Sequence, residues 1–142
     1  MGRITLAEAN AVIAGAFAFG AEKGLKPLGV AVLDAGGHLI AFQRADGTSF
    51  GRAQIATGKA AGALAMGASS RKLGEMAEQR PWFVGAFAAG APHGVIPAAG
   101  GVIVVGEDGA AIGAVGVTGD TSDNDEAAAL AGIAAAGLKA QG

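Results

Sequence analysis

The side chains able to do chemistry in this chain are few and widely spaced. Two histidines, His38 and His93, stand beside no cysteine, so disulfides, thiolate metal sites and cysteine nucleophiles are excluded. No H-x-x-x-H pair occurs, and two imidazoles without carboxylate help do not complete a zinc site. Glycines never fall at i, i+2 and i+5, and ATGKAAG around Lys59 carries Ala53 where a phosphate loop needs its first glycine. Both nucleotide readings fail. Nothing in these residues compels an enzyme.

Each remaining candidate has a plain reading and a functional one. His38 opens the run HLIAFQR in phase with Ile40 and Phe42. A histidine at a hairpin turn reads first as hydrogen-bonded structure and second as a ligand. His93 lies between Pro92 and Gly94, near Trp82, Phe83 and Phe87 in sequence; apolar and aromatic lining with one convergent polar group suits a binding pocket. Lys59 shares a helical line with Ile55, Gly62 and Met66. Its default is to carry the ammonium out to water, and the alternative is pairing a ligand carboxylate. Gly113, Gly116 and Gly119 recur every third residue in a strand, where glycine lets a helix or a ligand touch the backbone. The acidic stretch GDTSDNDEAAA (119–129) lacks the glycine and final glutamate of a calcium loop. It reads better as a helix start, with Thr121 or Ser122 as cap and acids favoured by the dipole.

The elements that must position these residues follow from local pattern. Thr5-Leu-Ala-Glu8 has capping-box spacing and starts a helix near Leu6 that Gly24 and Pro27 end. Apolar residues on two sides of it require cover on two sides. LGVAVLD (28–34) and HLIAFQR (38–44), joined by Ala35-Gly36-Gly37, form a hairpin. Residues 52–68 are helical, and Ser69 or Ser70 caps another helix reaching Gln79. Residues 81–101 hold three of the four prolines and the only tryptophan without strong periodicity, and read as an irregular segment of the functional or mobile kind. VIVV (102–105), EDG (107–109) and AAIGAVGVT (110–118) give a second hairpin, and a helix runs from about Asp123 to Lys139. The order α-ββ-αα(α)-ββ-α predicts an α+β class with a central antiparallel sheet flanked by helices, as a single domain over 1–142.

Composition narrows the setting. Charged residues are 15% with net charge −2 and no basic run, which argues against nucleic acid and anionic membrane partners. MGRITLAEANAV lacks a signal-peptide pattern and no segment is long and apolar enough to span a bilayer, so a cytoplasmic protein is expected. Alanine and glycine, 36 and 26 residues, make up 62 of 142. From Ala127 to Leu138 every residue is Ala, Gly, Leu or Ile. A helix with no wet face predicts burial against a neighbouring subunit, hence a homo-oligomer.

At DAGGHLIAFQRADG (34–47) the chain resembles the GlcG/HbpS-type haem-binding family, and with it the C-terminal domain of PduO-type proteins. ITLAEANAVIAGA, ATGKAAGAL, IPAAGGVIVV and AIGAVGVTGDTSDNDEAA extend the similarity over nearly the whole chain. The resemblance implies an α+β domain assembling into dimers and larger rings such as octamers. It also implies haem binding, with roles in haem storage, redox sensing or breakdown. Haem binding taken together with the chain's two histidines makes His38 or His93 the expected iron ligand; His38 lies in the matching hairpin motif, and the resemblance lends His93 no support. Lys59 or Arg44 would pair the propionates, Trp82 would line the pocket, and the 113–119 strand, with Gly116 and Thr118, would form a backbone wall. Two alternatives stay open: a small enzyme acting on an organic acid in the same pocket, and an accessory oligomer that stabilises a partner enzyme.

Overall fold

The computed structural model describes residues 2–142. Helix α1 (Leu6–Lys23) starts at the expected capping box: Glu8 N–H donates to Thr5 Oγ1 at 3.0 Å and Thr5 N–H to Glu8 Oε1 at 2.9 Å. It stops at Gly24, whose φ of 65° is left-handed. Strands β1 (Gly29–Asp34) and β2 (Leu39–Arg44) form the first hairpin. Helices α2 (Arg52–Met66) and α3 (Ser70–Gln79, capped by Ser69) follow. The segment expected to be irregular begins with a further helix, α4 (Pro81–Gly90). Pro81 at its first turn removes only an N–H that a helix leaves unpaired anyway. Its periodicity is faint because Val84 alone is buried. Only residues 91–100 are irregular.

Strands β3 (Gly101–Val105) and β4 (Ala111–Thr118) make the second hairpin. Helix α5 (Ser122–Ala135) ends earlier than the apolar run suggests. Gly137 at φ 73° turns the chain back, and Lys139–Ala140 become a short edge strand, β5, paired with β3. The sheet order is β2-β1-β4-β3-β5, antiparallel throughout. This is the α+β architecture that the element order predicted.

The period of two along the strands sorts side chains into two cores. Val30, Val32, Val102, Val104, Val115 and Val117 pack beneath α1 and α5. Leu33, Ala114, Ile103 and Val105 face α2, through Ala60, Ala61 and Ala63. Alanine and glycine set the spacing of these layers. A Cβ at Gly132 on α5 would collide with the Val12 carbonyl oxygen of α1, and one at Gly116 on β4 with the Ala56 carbonyl oxygen of α2. Helix α1 is therefore covered on two sides, by the sheet and by α5, as its pattern required.

Candidate functional site

The two histidines, 55 positions apart in sequence, meet. Their ring centroids lie 5.6 Å apart at an interplanar angle of 74°, an edge-to-face contact. The β1–β2 turn makes this possible. Asp34 Oδ1 accepts from Gly36 N–H at 2.9 Å and from His38 N–H at 3.0 Å, and Gly37 takes φ 84°. A Cβ on Gly37 would stand 3.0 Å from the His93 ring, so glycine there lets the second imidazole settle on the turn. The phase expected for His38 with Ile40 and Phe42 is broken by a bulge. Val32 pairs Ala41 and Leu33 pairs Leu39, leaving Ile40 as the extra residue.

His38 stays open, its side chain 71% exposed, with Nδ1 at 3.3 Å from Asp34 Oδ1. Turning Nδ1 toward the carboxylate leaves Nε2 as the free ring nitrogen, the arrangement that orients ligating histidines. The His38 backbone N–H, followed by burial acting in the opposite sense and the Gly36 N–H, leaves the Asp34 carboxyl below its usual pKa. Behind the pair, Ala35, Gly37, Ala61, Leu64, Pro92 and His93 line a mostly apolar cleft of about 180 Å³.

The other residues singled out by sequence are elsewhere. Lys59 does not reach water: it is 3% exposed. Its Nζ donates to Asp125 Oδ2 at 3.1 Å and to the Val117 carbonyl at 3.0 Å. Its path from α2 to α5 runs past Gly100, where a Cβ would lie 2.9 Å from Lys59 Cδ and Nζ, while a Cβ at Gly101 would strike the Lys59 backbone carbonyl. Gly116 is no open wall, because α2 lies on it. Thr118 is buried and accepts from Arg52 Nη1 at 2.8 Å. Trp82 is 70% exposed and packs edge-on against Phe83 under the Arg80 guanidinium, not in the cleft. Arg44 is exposed and ends β2, about 20 Å along the strand from His38 at 3.3–3.4 Å per residue.

The acidic stretch is spent within the protein. Thr121 caps α5 by accepting from Asn124 N–H. Asp120 accepts from Asn124 Nδ2 and from the backbone N–H groups of Lys26 and Thr121, which hold its carboxyl down to about 2. Asp123 and Glu126 pair Arg71, and Asp125 takes Lys59. Sequence reasoning missed Asp34, Asp125 and Arg52. The DAGG turn signalled the first; the other two have no local pattern, because their partners lie more than 60 positions away.

Fold and site together define a class: a three-layer α+β domain with an antiparallel sheet between helices and an imidazole pair at one hairpin. Within that class the chain belongs to the HbpS-like family, described as haem degrading protein HbpS-like, whose family model matches residues 4–134. Among solved structures it is similar to a doubly substituted HbpS of Streptomyces reticuli, with 28% identity and a TM-score of 0.81 over 94% of this chain and 87% of that one. Klebsiella pneumoniae ORFY is similar at 25% identity and a TM-score of 0.85, covering 96% and 92%. A PduOC haem complex has a TM-score of 0.85 at 20% identity, covering 99% of each chain, a likeness of fold. No curated protein sequence matches the chain. Among the described residues no helix is long and apolar enough to cross a membrane.

Proposed function

We propose that this chain, acting as one domain over residues 1–142, binds haem at the histidine cleft, with His38 as iron ligand and His93 packed against it. The observation that carries the reading is the Asp34–His38–His93 arrangement. It joins an imidazole with a free Nε2, a carboxylate that orients it and an apolar cleft alongside. Support also comes from membership of a family described as haem degrading and from a haem complex among the similarly folded structures. Haem, when bound, supplies the iron chemistry; this chain's residues orient the ligand nitrogen and cover one edge of the ring.

Cleft size bears on assembly. About 180 Å³ lies below the 300–1,000 Å³ of enclosed ligand sites, so one chain covers only part of a tetrapyrrole. A second copy completes the cover, which makes the working form a homo-oligomer. The outer face of α5, with Leu130 and Ala134 exposed, and the exposed Trp82 are the apolar surfaces available for it. The organic-acid enzyme loses ground on geometry. Its carboxylate holders were Lys59, which is paired internally, and Arg44, at the other end of β2 from the histidines.

A haemin titration of the purified protein tests the reading. A saturable, shifted Soret band is expected, displaced or lost in His38→Ala and weakened in His93→Ala. Ascorbate and dioxygen then separate the roles: bleaching with iron release assigns breakdown, and a persistent Soret band assigns storage or sensing. Featureless binding that survives both substitutions would overturn it.

A further inference from the structure

Three cations of the described chain are drawn off the surface: Arg52, Lys59 and Arg71. Lys59 is neutralised by Asp125, and Arg71 by Asp123 and Glu126. Arg52 has no such partner among the described residues. Among the described residues its guanidinium makes one hydrogen bond, to the Thr118 hydroxyl at 2.8 Å. A guanidinium carries five N–H donors and cannot shed its charge, so holding it half-buried without a counter-ion costs stability.

The surroundings of Arg52 are built rather than incidental. Arg44 on β2, Gly29 on β1 and Thr118 on β4 stand directly opposite one another in register. Opposed residues share a face, and this is the face that α2 covers. A Cβ on Gly29 would lie 3.3 Å from the Phe42 ring and 3.5 Å from Arg52 Cβ. The missing side chain makes a notch in which the Arg52 stem lies beside Phe42, with Arg44 on the same row. Thr118 is 1% exposed and its oxygen accepts from Arg52. Its own proton has no acceptor among the hydrogen bonds of the described residues.

We propose that this end of the sheet binds a small monocarboxylate, with Arg52 and Thr118 as its donors and Arg44 closing the outer side. Two carboxylate oxygens match the planar fork of a guanidinium, and the Thr118 proton supplies a further donor. One half-buried positive charge balances one negative charge. The Phe42 ring offers an apolar flank that suits an organic stem better than the hydrated, more highly charged head of phosphate. The site lies at the opposite end of β2 from His38, about 20 Å away along the strand. A carboxylate here is therefore not a side group of haem held by the same chain's His38, and the site stands whether or not that haem reading does.

Calorimetric titration of the purified protein with benzoate, and separately with inorganic phosphate, tests this. Saturable benzoate binding near one per chain is expected, with phosphate weaker. Arg52→Met and Thr118→Val should each weaken benzoate by about tenfold or more, as loss of a hydrogen bond to a charged group does. Arg52→Lys should fall between, and Lys72→Ala, on an exposed lysine of α3, should bind as the parent does. Thermal melts check folding, and the near-isosteric Thr118→Val and the charge-keeping Arg52→Lys carry the test should Arg52→Met not fold. Absent benzoate binding, affinity indifferent to Arg52 and Thr118, or phosphate binding in benzoate's place with the same dependence would each overturn the proposal.

Discussion

Replacing Lys59 by methionine should be among the most damaging single changes this fold can suffer short of a backbone clash. Lys59 and Asp125 are 3% and 2% exposed, and their charged atoms are 3.1 Å apart. The pair joins α2 to α5 around the end of the sheet, so it ties the two helical layers together. Without the ammonium, Asp125 keeps one backbone donor, Asp120 N–H at 2.9 Å, and the Val117 carbonyl loses its Lys59 donor. Breaking a buried pair by removing one partner costs about 3–5 kcal/mol, a large part of the 5–15 kcal/mol total typical of a domain. At about 3 °C per kcal/mol for this size, the melting temperature should fall by roughly 10–15 °C.

The pH dependence sharpens the test of that ion pair. Burial raises the Asp125 pKa and lowers that of Lys59, each outweighing the pull of its partner. A carboxyl raised on folding contributes stability that is full below its unfolded pKa and lost as pH rises through its folded one. In Lys59→Met that folded pKa rises further, since the attracting charge is gone. The deficit against the parent should therefore be small near pH 4 and grow toward neutrality. Adding Asp125→Leu should recover part of the loss, because an apolar pair replaces an orphaned charge. Thermal melts from pH 4 to 8 measure all three. A fall below about 3 °C at pH 7, or a deficit flat in pH, would refute the reasoning.

Three further outcomes are expected. Gly116→Ala drives a methyl into the Ala56 carbonyl oxygen and should destabilise by about 1–3 kcal/mol or more, read from urea unfolding; a neutral result would mean that α2 shifts freely on the sheet. Thr5→Ala removes one half of the α1 capping box and should cost about 1 kcal/mol, with helix content otherwise retained. Asp34→Asn keeps the Oδ1 acceptor that holds the turn and removes only the charge facing His38. Haemin affinity should then fall about 10–100-fold with unchanged melting, whereas equal affinity would leave Asp34 a turn-former and nothing more.

Those predictions draw on features of unequal legibility in the sequence. Thr5 and Glu8, the Ala35-Gly36-Gly37 turn, the Ser69 cap and both hairpins were legible because each is decided within a few residues. The bulge at Ile40 was not, since it depends on how β1 and β2 pair rather than on either strand alone. Helix α4 escaped for want of a buried stripe, and the apolar run after Glu126 hid the Gly137 stop that frees β5. Within the candidate site, His38 and His93 were identifiable by residue type. Their contact was not, because it rests on a turn and a loop 55 positions apart.

Lys59 and Arg52 show where local pattern stops short of the tertiary structure. Both lie on the inner side of α2, seven positions apart and hence on nearly one line of the helix. Glycine decides where each can go: Gly100 clears a path for Lys59 around the end of the sheet, and Gly29 clears a notch for Arg52 across it. A reading of strand glycines as a wall for ligand looked for the ligand against Gly116, where α2 already lies. The space that glycine opens in this fold is taken first by helix backbone and then by long cationic side chains. Asp125 answers one of those cations from within the chain, and Arg52 is the one left for a ligand to answer.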